Sequence, residues 1–313
     1  MEKPQSSRSA VPVVRRSAVL GVVVGLVAVV LAGCSADPSG GGGSGGTSDA
    51  QALPAQNMDQ WVLPLDSYVV GNTKNADYAQ NLLVAPCMEE AGYSWDVPYR
   101  DTTATDGPSW NAVERRLFTP AIAEQWGFHL APSSDTTLGA LKDFIARANA
   151  VPAAESAQVT KCVVASRKEL PPLTGSAQLG ASYASQAYSA ALEEPAVRAA
   201  AERWQTCMVP AGVSDLPTSP EEFPSPSVVS KFDIELDVSA TPPTVSPAEI
   251  QLATFEATCE VDSGWLTSLY HAEWDGQAAL LRKNADALQR SKAQLDRYEA
   301  RLQEVISTHA PKH

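Results

Sequence analysis

The run His271-Ala272-Glu273-Trp274-Asp275 holds the residues most suggestive of chemistry. On a helix His271 and Asp275 are four apart and would supply two corners of a metal site, but zinc needs further ligands from elsewhere. The chain has four His, and His309 and His313 lie in its terminal tail. The expectation is a solvated His–Asp pair, with no metal and no cofactor. His271-Ala272-Glu273 and Pro86-Cys87 also share pieces with the zinc deaminase signature. Their order is reversed and the second Cys of Cys-x-x-Cys is missing, so that chemistry is excluded.

Gly42-Gly43-Ser44-Gly45-Gly46 has the form of a serine hydrolase nucleophile elbow. An elbow needs a strand before it and a helix after it, and a glycine run supplies neither. Glu89-Glu90, Glu193-Glu194 and Glu221-Glu222 are adjacent pairs. Side chains one apart on a helix do not face one another, so these read as solvated surface. No catalytic residue is assigned. Of the seven Trp, Trp204 reads as core, while Trp95 and Trp110 flank an irregular loop and are the better candidates for a surface groove.

Cysteine carries the firmest signals. Lys3, Arg8, Arg15 and Arg16 precede an apolar run from Ala18 to Leu31, then Leu31-Ala32-Gly33-Cys34. That order is a secretory signal with a lipoprotein cut site, and the run is too short for a comfortable transmembrane helix. Cleavage would leave Cys34 to carry a diacylglycerol, with its amine open to a further acyl chain. The chain would then sit on the extracytoplasmic face of the cell membrane, with lipid at Cys34 as its membrane partner. Residues 34–52 form a Gly/Ser-rich tether. The net charge of −13 becomes −16 once residues 1–33, with four positive charges and one negative, are removed. Such an acidic body is not a nucleic-acid binder.

The four later cysteines are Cys87, Cys162, Cys207 and Cys259. In an oxidising compartment an even number at wide spacing implies two disulfides. Cys87-Met88 with Ala91-Gly92 recurs as Cys207-Met208 with Ala211-Gly212, at an offset of 120. A weaker echo links Cys162 to Cys259. The repeat points to a duplicated unit and favours Cys87–Cys162 and Cys207–Cys259 among the three connectivities.

The elements that must carry these residues are mainly α. Val197, Ala200, Ala201, Trp204, Cys207 and Met208 fall on one helical face, as do Leu252, Phe255 and Cys259. Ser246-Pro247-Ala248-Glu249 is a capping box. A helix over about 75–91 contains Pro86, which should kink it. Long Pro-rich loops separate the helices, and 61–70 and 228–236 are at most strand-like. The predicted layout is a first helical half at 53–175, a second at 176–263, one long helix over 264–308 and a tail at 309–313. In that last helix Trp274, Leu281, Leu288, Leu295 and Leu302 recur every seven residues, but the d row starts Gln277, Asn284, Ser291. One good row and one polar row favour a helix leaning on the body over a two-stranded coiled coil.

Taken in order, Leu63-Pro64-Leu65-Asp66-Ser67-Tyr68, Cys87-Met88 with Gly92-Tyr93, Glu114-Arg115-Arg116-Leu117-Phe118 and Trp126-Gly127-Phe128-His129 make an ordered set. Trp204-Gln205-Thr206-Cys207-Met208, Gly264-Trp265 and Asn284-Ala285-Asp286-Ala287-Leu288 continue it. The set resembles a family of actinobacterial secreted lipoproteins. The resemblance implies an exported, mostly helical protein with paired cysteines, and it supplies no site residues.

The functional expectation is a lipid-anchored, non-enzymatic binding or interaction module, with an envelope protein as partner through the C-terminal helix. The alternative is a cell-wall or lipid-modifying hydrolase with dispersed carboxylates. A pocket gathering Asp or Glu whose titration is shifted upward would favour the hydrolase. An exposed apolar helix face would favour the interaction module.

Overall fold

Prolines and hydroxyl residues begin several of the helices. Thr119 caps α2 (Pro120–Trp126), its side chain accepting from the Ile122 N–H. Ser246 caps α8 (Pro247–Asp262) in the same way, accepting from the Glu249 N–H. Pro follows each cap at the first helical position, where its missing N–H would be unpaired anyway. The capping box is only half made, however. Instead of reaching back to Ser246, the Glu249 carboxylate accepts from the Phe128 N–H at 3.0 Å, just past the end of α2. A Cβ on Gly127, at φ +57°, would collide with that carboxylate, so only glycine fits there.

The computed structural model describes residues 53–70, 73–173 and 175–312. The signal segment, Cys34 and the tether lie outside them. The other helices are α1 (Thr73–Glu90), α3 (Leu138–Asn149), α4 (Ala153–Glu169), α5 (Leu179–Leu192) and α6 (Pro195–Met208), then α7 (Pro226–Phe232), α9 (Trp265–Lys283) and α10 (Ala285–His309). The fold is mainly α, and no strand occurs among the described residues. The two strand-like segments resolve otherwise. Residues 61–70 form a loop with a 3₁₀ turn at Asp66–Tyr68, and 228–236 runs from α7 into extended chain after left-handed Asp233. Pro86 lies inside α1, while Pro210 falls in a 3₁₀ turn that follows α6.

Both disulfides have the favoured connectivity. Cys87–Cys162 ties α1 to α4 and Cys207–Cys259 ties α6 to α8, with Cα separations of 5.6 and 5.7 Å. The repeat is visible in three dimensions. Met88 and Met208 are both wholly buried, and Gly92 and Gly212 are both left-handed, at φ +83° and +66°. A left-handed residue just past the helix is the usual place for glycine. The duplication is of stapled helix pairs, while the packing interleaves. First-half α2 lies on second-half α8, α1 lies on α10, and the described residues all belong to one compact unit.

The heptad row lies inside the molecule. Trp274, Leu281, Leu288, Leu295 and Leu302 are all buried, against α1, α5 and the loop at 61–68. Two of the polar row, Gln277 and Ser291, are buried too, and they are polar for a reason. Gln277 accepts from the Leu65 N–H at 2.9 Å, and Ser291 donates to the Ala177 carbonyl at 3.3 Å. These side chains satisfy backbone groups of loops that could not otherwise be buried. The long C-terminal helix is thus α10, and it leans on the body. The stretch from 264 to 308 is not continuous, because the backbone at Asn284 leaves helical geometry at φ −122° and divides α9 from α10.

Candidate functional site

A cleft of about 710 Å³ opens between the loop at 58–69, the segment 113–120, α5, the turn at Pro220–Glu222, the end of α8 and α9. Its walls are chiefly apolar, with Leu117, Trp265, Leu266 and Leu269 inside and exposed Met58 and Val261 at the rim. Such a concave apolar space with a few polar groups is where small molecules usually bind.

Behind the cleft wall Glu273 ties together Trp61, Arg115 and Gln277. Residues three or four apart share a helix face. On α9 that periodicity sends His271 and Asp275 to solvent and turns Glu273 and Gln277 inward. Glu273 has no exposed surface, and Arg115 meets it in a two-pronged pair, at 3.0 Å to Oε2 and 2.6 Å to Oε1. Trp61 Nε1 donates to Oε2 at 3.0 Å and Gln277 Nε2 to Oε1 at 3.2 Å. The Arg115 guanidinium lies 5.5 Å from the Trp61 ring and 5.3 Å from that of Tyr188. Both charged prongs and both ring faces are therefore committed, which fixes the cleft wall.

A second group of charges lies on the α8 side. Glu249, Ala253, Glu256, Ala257 and Glu260 form the buried face of that helix. Glu256 accepts from Trp204 Nε1 at 3.2 Å, and Glu260 lines the cleft. Four residues apart, the two carboxyls hydrogen-bond each other. Burial pushes Glu256 up to about 7, against which the hydrogen bonds from Glu260 and Trp204 and the charge of Arg116 act. Burial and the neighbouring Glu256 hold Glu260 well above the carboxylate range. Two buried carboxyls in contact share a proton, because the second charge is too costly.

Arg116 faces this pair, donates to the Phe128 carbonyl at 2.8 Å and stacks over Phe118 at 5.5 Å. Burial lowers its affinity for its own proton, and the two glutamates partly restore it. Burial raises the Tyr188 phenol, and the nearby Glu221 carboxylate raises it further. Asp66 is also raised by burial, although the Leu63 N–H at 2.8 Å pulls the other way.

In the sequence Glu273 and Glu221 stand out only as members of short runs, beside His271 and Glu222, and neither gains a role there. Adjacent glutamates drew attention, whereas the pair that meets is Glu256 and Glu260, at a spacing of four. The periodic Glu and Ala along α8 were the available signal, but such a face normally reads as solvated. The face drawn through Leu252, Phe255 and Cys259 is partly wrong, since Phe255 is exposed. Trp95 is not a surface residue either. It is buried edge-on to Phe144, 5.5 Å between ring centres, and Trp61 and Trp265 line the cleft instead. Comparison with protein-family models, with curated proteins and with solved structures gives no match.

Proposed function

We propose that this chain is an exported protein, anchored by lipid at Cys34 to the outer face of the cell membrane, that binds a small amphiphile in its cleft without transforming it. The observation that carries this reading is the cleft of about 710 Å³, whose apolar walls are pinned by the Glu273–Arg115–Trp61 network. Prior fixing of the wall lowers the entropy cost of taking a ligand. The paired cysteines support an oxidising compartment. Trp61 and Trp265 report on occupancy, so titration with octanol should shift tryptophan emission and saturate. Ala184→Trp, which fills the cleft from α5, should abolish saturation. A titration identical in both proteins would place the binding elsewhere.

The shared proton of Glu256 and Glu260 favours a second reading, a cell-wall or lipid-modifying hydrolase with Glu260 as general acid. The two carboxyls stand on one helix and bond each other, whereas glycoside hydrolysis places its acids on opposite sides of the scissile bond. The binding reading is therefore preferred. Release of reducing sugar or fatty acid from envelope material, lost in Glu260→Gln, would reverse that order.

A further inference from the structure

The cations of the cleft are already committed. Arg115 is forked onto Glu273, and Arg116 is fixed to the Phe128 carbonyl. The acids are not balanced in the same way. Asp59, Glu221 and Glu260 line the space, and among the described residues none of them makes an ion pair within 4 Å. Glu260 is more than nine-tenths buried and still borders the cleft. Beside these acids run the apolar wall and the exposed rim residues Met58 and Val261. Shape thus asks for an apolar body, and charge asks for a cationic head.

We propose that the occupant is an amphiphile with a protonated amine at its head. The ammonium lies against Glu260 and Glu221, and the hydrocarbon lies along Val261, Leu266 and Leu269. The proposal rests on the cleft being a ligand site.

A consequence follows for protons. Facing Glu260 are Glu256 on its own helix, Arg116 from the segment before α2 and Glu221 from the turn at 220–222. Tyr188 on α5 in turn faces Glu221. Arg116 attracts the pair from beyond ion-pair distance, and burial keeps one carboxyl protonated. An arriving ammonium stabilises the ionised form, so the shared proton leaves as the ligand enters. By linkage, affinity for the cation rises with pH through the titration of the pair.

Octylamine, octanol and octanoate carry the same chain with different heads. Calorimetric titration of the full chain near pH 7, in two buffers of different ionisation enthalpy, gives affinity and proton release together. Octylamine should bind about tenfold tighter than octanol, the scale of one charge-assisted hydrogen bond. Octanoate should be weakest, and octylamine alone should release a proton. Glu260→Gln should bring octylamine and octanol to parity and end the proton release. Exposed Glu221→Gln, at a position that does not pack the core, should remove part of the preference, so the test survives a misfolded Glu260 variant. Equal binding of octylamine and octanol, or tighter binding of octanoate, overturns the ammonium assignment and leaves the cleft as a ligand site. Failure of all three probes to bind overturns both.

Discussion

Glu273 shows how much one buried carboxylate organises here. It takes hydrogen bonds from Arg115, Trp61 and Gln277, groups that come from three separate parts of the chain. Removing one partner of a buried pair leaves the other without compensation. Glu273→Ala should therefore cost about 3 kcal/mol, the low end for such pairs, because Arg115 keeps some access to water through the cleft. Urea unfolding of the variant against the parent measures it. The acid pair makes a separate expectation about pH. Both glutamates are raised above the ordinary 4.5, so between that value and about 7 the folded chain holds more protons than the unfolded one. Stability contributed by the protonated pair is complete below about pH 4.5 and is lost as pH rises, by about 1.4 kcal/mol per pH unit for each excess proton. Glu260→Gln should flatten that slope, and a slope unchanged in the variant would assign it to other groups.

At the scale of elements, much was legible. The apolar face of α6, the start of α8, the two disulfides and the seven-residue row all follow from periodicity and spacing, because burial of apolar surface dictates them. The polar side of the same helices was not legible. Gln277 and Ser291 belong in the core only because of backbone groups 212 and 114 residues away, and no local pattern encodes such partners. The same holds for Glu249, which looked like half of a cap and instead holds the chain after α2. The break at Asn284 likewise lies within an unbroken heptad pattern. Each disulfide closes one stapled helix pair, across separations of 75 and 52 residues. Loops of that size stabilise by about 4 kcal/mol each on the chain-entropy model. Alkylation of the denatured protein without reductant should label none of the four later cysteines, whereas prior reduction should expose all four. Full labelling before reduction would contradict the pairing.

For the whole molecule, the expectations concern where it resides. An acidic body gains little from anionic headgroups, so the proposed attachment to a membrane rests on acyl chains at Cys34. Cys34→Ala should release the protein to the medium or leave an uncleaved precursor, read by fractionation and mass spectrometry. Unchanged fractionation and processing would remove the anchor from the picture. The apolar row of α9 and α10 is consumed inside the fold, so a partner protein, if recruited, meets the polar outer side of those helices. In-cell crosslinking from that side would identify it.

The loop at 57–65 is stitched to α9: Tyr270 bridges the Asn57 N–H and the Val62 carbonyl, Trp61 meets Glu273, and Leu65 meets Gln277. Synthesis delivers this loop before its anchoring helix, with 212 residues between Leu65 and Gln277. One wall of the cleft therefore has nothing to fasten to until α9 has been made. A chain truncated before residue 277 would carry the early segment and both sulfur bridges but lack a closed chamber. Maturation of the cleft in that sense waits on the arrival of α9.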